Sequence, residues 1–432
     1  MTQINFINHS CFEINDNKNS LVMDPWVNGS VFNNSWNLIT STKEKSIELL
    51  QKSNFIWFSH EHPDHFNPAN LKMLPKNKAF IFQKTKDKRV INFLKKLSNN
   101  IIELNYNDEF NISDNFSIKV FPFQDIDSYS LIKINNKTIL NLNDCHIKKV
   151  NELNHIKKIA GSIDVLLAQF SYAIGNTNES ETYARKKNAD EILINLTNMI
   201  KVLSPKYFVP FASFCYFSNK ENYYLNDSIN KVDETINYLN KNLSNTKILC
   251  FYPGDTWDFD SKWDNQNAIE KYIEDYKKIN VIDHKIKQYS FEHLKNCSLK
   301  FIDNVKKNNN LFYFYHMFKN KYYKIKFFVS DLNVVLNFDF KKGLTVLNND
   351  NKKKQYCVLS SDSLEQLFSL GYGYDTLSIG GRYEADDLGK KSLNTIFKFS
   401  AKNYQNYYYN FLPALIKIFT KSLKTNRLKP SR

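Results

Sequence analysis

Apolar positions along this chain switch repeatedly between strand and helix periodicity, which predicts a layered α/β domain. Residues 3–14 read as one strand, and the turn-rich residues 15–19 join it to a second strand at Ser20–Met23. Residues 43–52 place apolar side chains at helical spacing. The apolar run Phe55–Phe58 follows as a buried strand, and a helix then starts with Pro68 in its first turn. A strand at Ala79–Phe82, a helix at Arg89–Leu97 and strands at Ile101–Leu104 and Phe116–Pro122 come next. Ser130–Asn135 and Lys137–Leu142 read as a hairpin across Asn135-Asn136. A buried strand at Asp164–Phe170, a helix at Tyr183–Leu203 and a strand at Ile248–Tyr252 complete the first part.

The pattern changes near residue 260. Lys262–Lys278 reads as a polar helix, Lys324–Val329, Val334–Phe338 and Cys357–Ser360 as strands, and Asp362–Leu370 and Asn410–Leu423 as helices. This predicts a catalytic domain over residues 1–260 and a smaller α+β domain over 261–432, which covers a pocket or mediates assembly. Leu412–Leu423, flanked by lysines, suits packing onto the body, with contact to a membrane surface as the alternative. Residues 424–432 read as a basic, disordered tail.

At 432 residues the chain is long enough for two domains, and 42% hydrophobic residues suffice for sizeable cores. The net charge of +15 favours anionic substrates or surfaces. No arginine-rich arm or nucleic-acid module accompanies it, so no nucleic-acid partner is expected. Six scattered cysteines contain no C-x-x-C pair, which fits a reducing cytoplasm and no disulfide framework. The opening residues lack a signal-peptide pattern, and no apolar run is long enough to predict a transmembrane helix.

The chemistry concentrates where the Phe55–Phe58 strand ends. Of nine histidines, three fall within six residues, His60, His62 and His65, together with Asp64. Imidazole and carboxylate groups suit zinc, iron or manganese once deprotonated and converging. Just past a strand, a loop stiffened by Pro63 would splay these groups around two neighbouring metal positions. Asp144, after the second hairpin strand, is a further candidate ligand. His9 and Asp24 lie near strand ends, where each would hold a ligand imidazole in one tautomer; for Asp24 a turn cap before Pro25 is the alternative. Arg185 and Lys186 would meet a phosphate, or else form a solvated helix face, and the aromatic stretch 213–227, with Tyr216, would stack a base or sugar ring.

His60-Glu-His62-Pro-Asp64-His65 is a His-x-His-x-Asp-His signature and resembles the metallo-β-lactamase superfamily. Four further blocks narrow the resemblance: Asp24–Trp36 beginning Asp-Pro-Trp, Ile139–Cys145, Ser204–Ala212 containing Pro-Phe-Ala, and Asp362–Arg382. Together they are similar to the metallo-β-lactamase part of the CMP-N-acetylneuraminate hydroxylases. The resemblance implies an αββα metallo-β-lactamase-like sandwich in the α/β class, with the smaller C-terminal domain beside it. It also implies one or two divalent ions, zinc or iron with manganese as a further option, and a metal-bridging role for Asp144.

Two departures bear on the metal. No histidine stands between His65 and His146, where the superfamily places one; Gln124, Asp125 or Asp127 would supply an oxygen instead, and Asp125 is taken as the candidate. The late strand, Lys206–Phe214, also carries no histidine. More oxygen and less imidazole shift preference from zinc toward iron or manganese. The Rieske pairs Cys-x-His and Cys-x-x-His, which feed electrons in the hydroxylases, do not occur in this sequence.

Three functions remain open. The first is hydrolysis of an anionic sugar-nucleotide or glycan precursor by a metal-activated water, with Asp64 orienting that water or accepting its proton. The second is iron-dependent hydroxylation of a CMP-sialic-acid-like substrate, with electrons from a separate Rieske or ferredoxin protein. The third is a degenerate fold kept for binding. Hydrolysis is favoured because it needs no further component.

Overall fold

The computed structural model describes residues 2–311, 313, 324–347 and 357–408, which form two compact units. The first comprises residues up to Ala173 and Ser180–Ile282; the second comprises Ile174–Glu179 and the residues from Asp283 onward. The expected helix at 410–423 and the basic tail lie outside the described residues.

The first unit is built on two seven-stranded sheets. One runs in the spatial order Thr256–Trp257, Gln3–Asn8, Cys11–Asn15, Ser20–Met23, Phe55–Phe58, Ala79–Gln83, Asn100–Leu104. The other runs Lys247–Ile248, Tyr207–Phe211, Val165–Gln169, Lys137–Asn141, Asp127–Ile134, Phe116–Phe123, Glu109–Ser113. Phe55–Phe58 shows how the layers form. Alternation sends Trp57 into the core shared by both sheets, and Ile56 and Phe58 into a separate cluster with Leu50, Leu71, Val90 and Leu94 from the outer helices. A strand covered on both faces needs an unbroken apolar run, and this one has it. On the other sheet, Val150–Ala160, Thr182–Leu203 and Val232–Asn242 bury Leu153, Ile200 and Ile236. The result is the α/β metallo-β-lactamase-like architecture that the sequence motif implies.

Residues 3–14 do not form one strand. Gln3–Asn8 and Cys11–Asn15 are the two arms of an antiparallel hairpin, with Ile4 opposite Ile14 and Phe6 opposite Phe12. Those pairs join residues of equal parity, so the apolar alternation reads the same through the turn as along one strand. The turn is set by His9, whose φ is 44°, and by the Asn8 side chain, which accepts from the His9 N–H at 2.9 Å.

Two other expectations shift. The strand expected at 248–252 closes after Ile248, because Cys250 and Tyr252 donate to the Asn265 and Asp255 side chains. Helix Gln266–Lys278 buries Ala268, Tyr272 and Tyr276 in the first core, so the first unit continues to Ile282. Helix Val150–Ala160, which buries Leu153, Ile156 and Ala160 at helical spacing, and the short strands Trp36–Leu38 and Glu109–Ser113 add to the expected elements.

The second unit has a five-stranded sheet in the order Gly343–Val346, Val334–Asp339, Lys324–Val329, Cys357–Leu359, Glu384–Ala385. Helices Phe291–Asn308, Ser361–Ser369 and Asp387–Tyr404 pack on it through Phe301, Leu364, Leu367 and Phe397. Arg382 is buried and donates to Asp362 at 3.0 Å, tying together the two ends of the Asp362–Arg382 block. No helix among the described residues is long and apolar enough to cross a membrane.

At Gly373 a Cβ would lie 2.1 Å from the Gln366 carbonyl oxygen, backbone that has no room to move aside. Gly373→Ala is therefore expected to destabilise the second unit by about 1–3 kcal/mol, read as a lower denaturant midpoint for a probe within that unit.

Candidate metal centre

The candidate site is assembled from residues that follow strands. His9, Asp24, Gln124, Asn143 and Ala212 each stand just past a strand end, and all five adopt positive φ, between 41° and 52°. Left-handed backbone costs a non-glycine residue about 1–2 kcal/mol, and such positions cluster where a chain must aim side chains against its own preference.

The His60–His65 loop is pinned from several sides. The His62 carbonyl accepts from the N–H groups of His65 and Phe66 at 3.0 and 2.7 Å, closing a turn over Pro63-Asp64. Arg89 grips both Glu61 oxygens at 2.9 and 3.0 Å. Ser10 donates to the Asp64 carbonyl at 3.2 Å, attaching the first hairpin to the loop. Underneath lies Asp24, wholly buried. Its carboxylate accepts from the Ser59 N–H and hydroxyl, each at 2.8 Å, and from His65 Nδ1 at 3.0 Å. A bond at Nδ1 leaves His65 Nε2 facing the other way, toward Asp64 Oδ2 at 3.4 Å and Asp144 Oδ2 at 3.3 Å. Ser59 Oγ also lies 2.9 Å from His60 Nδ1. Ser59 was not a sequence candidate; a serine immediately before the motif carries no signal until its partners are seen.

Two overlapping groups of potential ligands result. In one, His9, Asp64 and His65 converge, with His9 Nε2 3.6 Å from Asp64 Oδ2. In the other, His60, His65 and Asp144 converge, with His60 Nε2 4.0 Å from Asp144 Oδ2. His62 sits one step out, its Nδ1 2.9 Å from His60 Nε2. Of the oxygen candidates, Asp127 approaches His60 Nε2 at 3.9 Å, whereas Gln124 and Asp125 are exposed and fall in neither group. His9 thus belongs with the converging groups, and Asp24 supports from behind.

The weaker substrate candidates have other partners. Arg185 is buried and clamps Asp227 through Nε at 2.8 Å and Nη2 at 2.6 Å, stacking on Tyr224. Lys186 is exposed and pairs with Asp190 one helical turn away. Tyr216 is buried, and its hydroxyl donates to the Asn280 carbonyl at 3.3 Å.

The electrostatics favour a cation. Burial pulls the His60 imidazole well below its ordinary pKa, and His65 and His62 add to the effect. Burial lowers His62 as well. His65 goes the other way: burial opposes its proton, but Asp144, Asp64 and Asp24 outweigh that and hold it well above the usual range. Asp64 and Asp144 stay ionised despite burial, because His65 faces both. Burial, with Asp144 beside it, pushes Asp127 up to about 7. Three carboxylates around one buried imidazole stabilise positive charge there, be it a proton or a metal ion.

The donors fit a divalent ion by a second criterion. His9 Nδ1 and Nε2, His65 Nε2, Asp64 Oδ1 and Asp144 Oδ1 are buried without a hydrogen-bond partner among the described residues. An orphaned buried polar atom costs about 1–3 kcal/mol, and several aimed at one place are what a coordinated ion would satisfy. The nitrogen-and-oxygen set, without sulfur, suits zinc, iron or manganese.

A family model described as a beta-lactamase superfamily domain matches residues 3–171. Residues 3–171 are thus similar to the beta-lactamase superfamily. Both of these converging groups lie within the matched span; Arg185, Lys186 and Tyr216 lie beyond it. Curated relatives include the cytidine monophosphate-N-acetylneuraminic acid hydroxylase of Danio rerio, 22% identical over 59% of this chain and 46% of the relative. The Mus musculus hydroxylase is 24% identical over 58% and 45%. The chain thus spans about half the length of the curated relatives it matches. Among solved structures, Igni18, a metallo hydrolase from the archaeon Ignicoccus hospitalis, aligns with a TM-score of 0.43 at 16% identity, covering 60% of this chain and 99% of that one. CmlA, a diiron β-hydroxylase from Streptomyces venezuelae, aligns with a TM-score of 0.40 at 11% identity, covering 58% and 53%.

Removing the support beneath the site tests its design. Asp24→Asn is expected to weaken divalent-metal binding by about 10–100-fold, measured by equilibrium titration of the full chain. Arg185→Ala is expected to leave that affinity unchanged while lowering stability by about 1–3 kcal/mol in denaturant unfolding, since its partner is Asp227 and not the cluster.

Proposed function

We propose that this protein is a metal-dependent hydrolase of an anionic sugar-nucleotide or glycan precursor. One observation carries the reading: His9, Asp64, His65 and Asp144, each with a buried atom that lacks a hydrogen-bond partner among the described residues, fall in two overlapping groups of converging ligands. In this reading His60, Asp64, His65 and Asp144 hold the ion, with His9 and Asp127 as further donors, and Asp24 and Ser59 orient the imidazoles. A divalent ion there would acidify a water and polarise the scissile group. Asp64 stays ionised with one oxygen unpartnered, so it can accept a hydrogen bond from an attacking water and orient it. Asp127, partly exposed and 3.9 Å from His60 Nε2, would take up a proton. The +15 charge draws an anionic substrate toward the protein.

A second reading, iron-dependent hydroxylation of a CMP-sialic-acid-like substrate, is favoured by the curated relatives, whose names state that activity. It would need dioxygen and an electron-transfer partner, and the oxygen-rich donor set is compatible with iron.

The two readings separate in one assay. Metal-loaded protein is incubated with a CMP-sugar in ¹⁸O-labelled water, without dioxygen or reductant. Hydrolysis predicts turnover with label entering one product and none for Asp144→Ala, which should also lose bound metal. Turnover that appears only with dioxygen and a reductant would overturn hydrolysis and establish the second reading.

A further inference from the structure

A third group of potential metal ligands lies in the second unit, outside residues 3–171. His293 and Cys297 stand four residues apart in helix Phe291–Asn308, so they share one face, and Glu365 reaches them from helix Ser361–Ser369. Cys297 Sγ is 3.4 Å from His293 Nε2, and His293 Nε2 is 3.7 Å from Glu365 Oε1. Bonds of about 2.0–2.3 Å at tetrahedral angles separate neighbouring ligand atoms by about 3.4–3.6 Å. The two separations from His293 Nε2 are therefore close to the edges of a zinc tetrahedron, and all three atoms lie within 4.8 Å of one another.

The surroundings hold that spacing. The Tyr289 ring stacks on His293, with centroids 4.7 Å apart at 26°. The Tyr289 N–H donates to Ser361 Oγ at 2.9 Å, and Ser361 donates from its hydroxyl and N–H to Asp331 at 2.6 and 2.8 Å. Ser290 caps the first helix and Ser360 the second. The starts of the two helices are thus fastened to each other, one turn or so before the ligands. Cys297 is buried, and His293 is about half exposed, so one side of the group faces water.

We propose that His293, Cys297 and Glu365 bind a zinc-class divalent ion, which clips the two helices together and leaves its fourth position to water. A sulfur, a nitrogen and an oxygen favour a borderline-soft ion over magnesium or calcium. This donor set differs from that of the first unit in its thiolate, and the thiolate gives the test its signature.

The full chain is titrated with cobalt(II), which reports sulfur ligation through near-ultraviolet thiolate charge-transfer absorption. The wild type and His60→Ala are expected to show the band, and Cys297→Ser to lose it. His293→Ala, at an exposed position that tolerates alanine, and Glu365→Gln are expected to weaken the affinity read from the band by more than about 10-fold, the loss that follows removal of even an outer partner of a ligand. No band in the wild type, a band that survives Cys297→Ser, or unchanged affinity in His293→Ala would each overturn the site.

Discussion

The candidate centre depends on one buried carboxylate. Asp24 is completely enclosed, and a carboxyl group there is tolerable only if its oxygens are hydrogen-bonded. Ser59 supplies an N–H and a hydroxyl, and His65 supplies Nδ1. The same bonds decide what His65 does. With Nδ1 committed to Asp24, its Nε2 faces the carboxylates of Asp64 and Asp144, and Ser59 extends the arrangement to His60. A polar group that would otherwise be a liability to the core thus serves to orient two imidazoles.

The backbone around the centre reflects the same demand. A strand alternates its side chains between two faces and cannot send consecutive groups toward one point. Turning into the left-handed region within two residues of the last paired one breaks that alternation, and five strand ends do this. The strain of these turns is carried by the two sheets behind them, whose shared apolar core holds each strand end in place. Asn8 and Ser10 secure the first turn by bonding the His9 N–H and the Asp64 carbonyl. The first hairpin is thus part of the centre, and not merely an edge of the sheet.

The layered α/β character was legible because Phe55–Phe58 and Val165–Ala168 are apolar throughout, as strands covered on both faces must be. The His60–His65 loop was legible because the chemistry sits in consecutive residues. The hairpin at His9 was not, since a tight turn preserves the parity of the apolar positions on either side. Ser59 escaped notice for a different reason: its role is defined by Asp24, 35 residues earlier in the chain. Asp125 and Asp127 both lie in the segment from which an oxygen was sought. Asp127 begins a paired strand, which turns it toward His60, while Asp125 lies in the exposed turn before it. A two-residue difference in register decides between them, and register is what a single sequence specifies least.

The missing late histidine also takes on a physical meaning. At the end of strand Tyr207–Phe211 stands Ala212, with a φ of 48° and no side chain to offer a metal. Its N–H instead donates to the His9 carbonyl at 3.2 Å. The late strand therefore acts on the centre through the backbone, by bracing the turn that carries His9. His9 in turn presents a buried imidazole, with both nitrogens unpartnered among the described residues, to Asp64 and His65. An imidazole from the first hairpin, braced by the backbone of a late strand, thus stands beside Asp64 and His65. The ordering of that imidazole therefore depends on a strand end more than 200 residues later in the chain, although that strand end offers no donor side chain of its own.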